Sequence, residues 1–121
     1  MESEALVREI VEAASQVHGT LGPGFLESIY VRALLSELRS RGLPIQRERQ
    51  VKIWYGATLV GKHSLDLVVD GIAVVELKAS QGILPVHAAQ LRSYLEATEY
   101  PFGLLLNFGA VQLQWEVLFR Q

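Results

Sequence analysis

Asp66 and the triplet Glu76-Leu77-Lys78 set two carboxylates and an ammonium into a stretch whose other residues have strand composition. Strand side chains alternate between faces, so the stretch can be read by parity. The odd positions Leu65, Leu67, Val69, Ala73, Val75, Leu77 and Ala79 are all apolar. The even positions carry Asp66, Asp70, Glu76 and Lys78, with Val68, Ile72 and Val74 between them. One face of the hairpin is therefore expected to be oily, and the other to gather a carboxylate–carboxylate–lysine cluster. Such a cluster suits a hard divalent cation and an activated water. The competing reading is a solvent-facing hairpin with ordinary surface charges.

The turn constrains the geometry. Residues paired across a ladder share a face, so keeping every odd residue inside requires paired numbers with an even sum. A two-residue Asp70-Gly71 turn would pair Val69 with Ile72 and set Glu76 on the face of Leu67. A three-residue loop, Val69-Asp70-Gly71, pairs Val68 with Ile72 and gives Gly71 a positive φ that glycine tolerates. The expectation is this bulged loop, with Asp66 diagonal to Glu76 at roughly 7–8 Å between backbones.

The rest of the chain must position these groups. Its 121 residues are enough for one domain with a real core, residues 1–121. Half the residues are hydrophobic and mean hydropathy is +0.22, which suggests a sheet covered on both faces or an oligomer interface. No apolar run approaches the ~18–20 residues of a membrane span. The acidic start Met1-Glu2-Ser3-Glu4 lacks the form of a signal peptide. Cysteine is absent, which removes disulfides and thiolate metal sites. A cytoplasmic protein without membrane partners is expected. The net charge of −2 gives no global argument for nucleic-acid binding. Arg39, Arg41, Arg47, Arg49 and Lys52 nevertheless cluster, opposed only by Glu48. They read either as a patch for phosphates or as a solvated helix end and edge strand.

Apolar spacing at Leu6, Ile10, Val11, Ala14 and Val17 predicts a helix over 4–17, broken by the Gly19–Gly24 segment. A second helix is expected over 25–41, with Leu26, Ile29, Tyr30, Ala33, Leu34 and Leu38 inward, ended by Gly42. Strands follow from Ile45, turned at Gly56-Ala57, then over 58–69 with a bulge at Gly61, and over 72–79. Pro85 opens a helix reaching about Thr98, and strands over 102–108 and 111–119 close the chain. The order α-α-β-β-β-α-β-β predicts a mixed α/β sheet with flanking helices. Its early strands are antiparallel, and the third and fourth are parallel across a helix.

On the late helix Gln90 and Tyr94 are four apart and share a side. They could reach over the carboxylate face to a water, a phosphate or a base, or be an ordinary half-buried pair. Glu27 stands in the first turn of the second helix, where the helix dipole favours a carboxylate in any case. His18, His63 and His87 follow no zinc spacing and read as structural.

Gly24-Phe25-Leu26-Glu27-Ser28-Ile29-Tyr30 resembles the signature of the GxxExxY proteins, a branch of the PD-(D/E)XK nuclease-like superfamily. The resemblance extends over Leu21-Gly22-Pro23-Gly24, Asp66-Leu67, Glu76-Leu77-Lys78-Ala79, Gln90 with Tyr94-Leu95, and residues 103–109. It implies a restriction-endonuclease-like α-β-β-β-α-β core. It also implies that Asp66 and Glu76 hold Mg²⁺ or Mn²⁺ with the carbonyl of Leu77, and that Lys78 orients the attacking water. Glu27 would complete the acidic shell and Gln90 would buttress the site. The activity expected on this basis is metal-dependent hydrolysis of phosphodiesters in DNA or RNA. The alternative is a nuclease-like fold acting as a binding or homodimeric assembly module, using Phe102, Phe108, Trp115 and Phe119. A carboxylate-pair hydrolase of sugars finds little support beside Lys78.

Overall fold

The computed structural model describes residues 2–121. Helix α1 spans Ser3–Leu21 and buries Leu6, Ile10, Ala13, Ala14 and Val17, a stripe at helical spacing. Gly19 lies inside this helix, contrary to the break expected there. The helix ends one turn later, at Gly22 with φ +69°, whose amide donates back to the His18 carbonyl at 2.8 Å. A glycine costs a helix only about 1 kcal/mol, which burial on the opposite face outweighs.

Helix α2 spans Glu27–Ser40. Gly42, at φ +80°, donates to the Arg39 carbonyl and Leu43 donates to that of Leu38, a complete Schellman motif. Arg41 then pairs with Glu37 at 2.9 Å and with Glu9 of α1 at 3.1 Å, locking the two helices together. Tyr30, Val31, Leu34, Leu35 and Leu38 are buried, whereas Leu26 and Ile29, expected inside, are exposed.

The strands are β1 Ile45–Tyr55, β2 Thr58–Val69, β3 Ala73–Lys78, β4 Phe102–Asn107 and β5 Gln114–Phe119, with α3 Pro85–Glu96 between β3 and β4. They form one sheet in the order β1-β2-β3-β4-β5. Only the β3–β4 pair is parallel, as the intervening helix requires. Helices α1 and α2 pack on one face against Leu67, Val69, Ala73, Val75, Leu77, Leu104 and Leu106. Leu91 and Leu95 of α3 cover the other, against Val68, Val74, Leu105 and Leu118. Strands β3 and β4, wet on neither face, are accordingly near-continuous apolar runs.

Three expectations about the sheet are corrected. The β2–β3 loop is Asp70-Gly71-Ile72, with Val69 paired to Ala73, one residue later than expected. Asp70 and Gly71 both take positive φ, +57° and +65°, and Ile72 donates to Val69. The bulge in β2 falls at Val60, since Ile53 partners Gly61 and Trp54 partners Leu59. Phe102 and Phe108 are fully buried and lie in the core, so no interface can use them.

The parity of β2 also breaks. Leu67 packs under α1 and α2, but Leu65, two residues earlier, packs under α3. The strand turns over at Asp66, opposite the stretch of β1 where Glu48 has φ +56°. The faces of β2 before and after Asp66 are therefore exchanged.

Candidate active site

The corrected loop changes how the two carboxylates meet. Continuing the register of Leu67–Val75 puts Asp66 directly opposite Glu76, not diagonal to it. At this rung the ladder is replaced by side chains. The Leu77 amide donates to Asp66 Oδ2 at 2.9 Å, and the Asp66 amide approaches Glu76 Oε2 at 3.4 Å. Strands β2 and β3 thus part company at Asp66, and the opening between them is lined with carboxylate oxygens.

Glu76 is buried, at 7 % relative exposure, and Lys78 two residues on shares its face of β3. With Glu27, Asp66, Gln90 and Tyr94 they line one polar cavity of about 70 Å³, to which His63 and His87 also contribute. All the side chains singled out in the sequence as catalytic are therefore brought together. Glu27 arrives from the first turn of α2, Gln90 and Tyr94 from one side of α3, and the rest from the sheet.

Gly24 and Tyr30 explain how Glu27 gets there. The Tyr30 hydroxyl donates to the Gly22 carbonyl at 2.6 Å and accepts from the Phe25 amide at 3.1 Å. Its ring is stacked on Phe108 with centroids 4.8 Å apart. Gly24 bends the segment at φ +115°, a conformation side chains resist. Tyrosine and glycine together fold the entry to α2 so that its first residue, Glu27, faces the cavity.

His63 is one residue that sequence reasoning missed. Its Nε2 lies 2.8 Å from Glu76 Oε1, and its ring is stacked on Tyr94 at 3.8 Å and 9°. A lone histidine at no metal spacing gives no signal in sequence, and its approach to Glu76 depends on the reversed parity of β2. Tyr94, considered as a stacking partner for a base, commits one ring face to His63 instead. Of the two other histidines, His87 lines the cavity and His18 lies outside it. His18 bonds the Ala110 carbonyl, and His87 Nδ1 accepts from the Leu84 amide at the start of α3. Asn107, fully buried, was also missed. It accepts from the Ser80 amide and donates to the Ser80 carbonyl, both at 3.0 Å, clamping the chain just past Lys78.

The electrostatics follow from burial. Desolvation first, and the adjacent Asp66 carboxylate second, push Glu76 up to about 9. Desolvation also raises Glu27, against the attraction of Lys78. It lowers His63, which favours the neutral imidazole beside Glu76. Tyr94 is raised by desolvation and by Glu76.

Among the described residues no three His, Asp or Glu groups form a ready-made metal cage. The donor set still fits a hard cation of the Mg²⁺ type, which is held by one or two carboxylates and keeps several waters. A polar cavity of about 70 Å³ has room for little more than an ion and water, each water occupying ~30 Å³ of liquid. Two adjoining carboxyl groups that cannot both ionise without cost are the arrangement that a cation relieves.

A family model described as the PD-(D/E)XK nuclease superfamily matches residues 4–118, and the chain belongs to that superfamily. Its mixed five-stranded sheet with three helices is a restriction-endonuclease-like α/β fold. No curated protein and no solved structure matches the chain significantly. No helix among the described residues is long and apolar enough to cross a membrane.

Proposed function

We propose that this chain is a metal-dependent nuclease of the GxxExxY branch, a single domain acting in the cytoplasm on phosphodiester bonds of DNA or RNA. The observation that carries the reading is the meeting of Asp66 and Glu76 across the parted strands, with Lys78 lining the same cavity. Asp66 and Glu76 would hold Mg²⁺ or Mn²⁺ with the Leu77 carbonyl, and Glu27 would close the acidic shell. When bound, the cation supplies Lewis-acid activation of water and neutralises charge on the phosphate.

The chain's own groups have separable tasks. Lys78 offers an ammonium that hydrogen-bonds water or a phosphate oxygen at the mouth of the cavity. Its charge also draws the phosphate toward three carboxylates that would otherwise repel it. Gln90, exposed on α3, orients a water or phosphate oxygen by its amide, and Tyr94 holds His63 against Glu76. The small cavity admits a phosphate edge but no nucleoside, so bases must lie outside it.

The decisive experiment incubates labelled DNA and RNA with Mn²⁺ and compares the wild type with Asp66→Ala and Glu76→Ala. Cleavage by the wild type alone supports the reading, and cleavage that persists in both variants sinks it.

One observation favours a second, compatible reading, a homodimer. Strand β5 is a sheet edge, and with α1 it forms an apolar groove of about 410 Å³ lined by Val7, Val11, Trp115, Val117 and Phe119. Trp115 and Phe119 are exposed there. Sedimentation of the wild type against Trp115→Glu tests it.

A further inference from the structure

We propose that the β1–β2 ribbon is an arm that grips a single-stranded stretch of nucleic acid beside the active site. This rests on the nuclease reading above and assigns the substrate-binding element and strand class.

Strand β2 pairs with β3 only over Leu67–Val69, whereas its pairing with β1 runs from Ile45–Val69 to Tyr55–Thr58. Past Leu65 toward the Gly56-Ala57 turn, the two strands leave the sheet as a two-stranded ribbon. Its root is in the site, because His63, opposite Val51 on the ribbon, bonds Glu76. Between the ribbon and the end of α3 lies a groove of about 620 Å³, whose lining includes Arg49, Lys52 and Trp54 of the ribbon and Thr98, Glu99 and Tyr100 beyond α3. That volume accommodates the nucleosides the catalytic cavity excludes.

The ribbon's charge opposes that of the molecule. Residues 45–64 hold four basic side chains, Arg47, Arg49, Lys52 and Lys62, against Glu48, in a chain of net charge −2. Lys52 stands directly opposite Lys62, a cross-strand like-charge pair that destabilises a ladder. Among the described residues neither lysine nor Arg49 has an ion pair, whereas Arg41 is held by Glu37 and Glu9. Val51, Ile53 and Leu65 hold the ribbon's root against Leu91 and Leu95 of α3, while its tip exposes Trp54 at 56 % and Tyr55 at 80 %. Unpaired cations with an exposed indole two residues from Lys52 match a phosphate backbone whose bases can stack. In a duplex the base faces are taken, so the indole selects an unpaired strand.

The test is binding in EDTA, which separates affinity from cleavage, using one labelled oligonucleotide alone and annealed. The single strand is expected to bind at least ~10-fold tighter than the duplex, and Trp54→Ala to cost ~10-fold. Lys52→Glu with Lys62→Glu should flatten the salt dependence by about 1.4 log units per log unit of salt. In a Trp115→Phe background, the remaining Trp54 emission should be quenched on binding. Unchanged affinity in the double lysine variant overturns the proposal, as does equal binding of duplex with Trp54→Ala neutral. So does wild-type protein that binds neither, or self-association that Trp54→Ala abolishes while nucleic-acid binding is absent. Wild-type cleavage with unaffected binding in the ribbon variants defeats the arm alone. Ribbon-dependent binding without cleavage in any divalent metal defeats the nuclease reading alone.

Discussion

The Asp66 carboxylate occupies the place of a ladder rung, accepting the hydrogen bond of the Leu77 amide at 2.9 Å. The residue proposed to hold the cation is thus also the residue that satisfies the backbone where the sheet opens. Its two duties can be separated by substitution. Asp66→Ala leaves a polar amide without its partner and is expected to cost ~1–3 kcal/mol of stability. Asp66→Asn keeps an acceptor and should cost far less. Both should abolish nuclease activity and the rise in melting temperature that millimolar Mn²⁺ gives the wild type. Calorimetry with and without the metal distinguishes the two effects.

Glu76 gives the chain an unusual pH dependence. Its carboxyl is raised from 4.5 in the unfolded chain to about 9 in the fold, so the native state holds a proton that the unfolded state releases. Its contribution is fully present below about pH 4.5 and is lost as pH climbs through about 9. In EDTA the melting temperature should fall over this window. Glu76→Gln, which is neutral at every pH, should flatten the fall and be more stable at pH 8 by roughly 1–3 kcal/mol. A metal-free melt that rises with pH over this range, or a glutamine variant that melts below the wild type at pH 8, contradicts it.

The His63–Tyr94 stack should act through Glu76. Tyr94→Phe keeps the ring and is expected to retain activity within about threefold, whereas Tyr94→Ala frees the imidazole and should lower kcat by ~10-fold or more with little change in KM. Steady-state rates on one oligonucleotide decide between them. Equal loss in both would mean that the hydroxyl, and not the stack, matters.

Two positions test the scaffold. A Cβ at Gly109 would collide with the backbone of Ala79 and Ser80, so Gly109→Ala should cost ~3 kcal/mol or more and displace Lys78. Tyr30→Phe removes the hydroxyl that ties Gly22 to Phe25 and should cost ~1–2 kcal/mol. It should also weaken Mn²⁺ binding through Glu27. Denaturant midpoints measure the first effect, and a metal titration followed by melting measures the second.

The element order and the meeting of Asp66, Glu76 and Lys78 were legible because charges interrupting an apolar alternation are costly and hence conspicuous. The detail was less so. Turn parity was readable from Leu67 and Val75, but the loop's position was not, since either register keeps the odd residues of β3 together. Leu65 misleads because a sheet covered on both faces is apolar on both, and nothing in its side chain marks the reversal at Asp66. His63 was hidden by the same reversal. Gly19 reads as a breaker by propensity, yet its helix is decided by the burial of Ala14, Val17 and His18 around it.

The brevity of the β2–β3 pairing has a mechanical consequence. Three rungs, Leu67 to Val69, anchor a long hairpin whose outer half has no neighbour on the β3 side. Trp54, Tyr55 and His63 all lie on the outer side of these rungs, where Val51 and Leu65 pack under α3. The outer hairpin is thus tied to the site twice, by that packing and by the 2.8 Å contact of His63 with the carboxyl of Glu76.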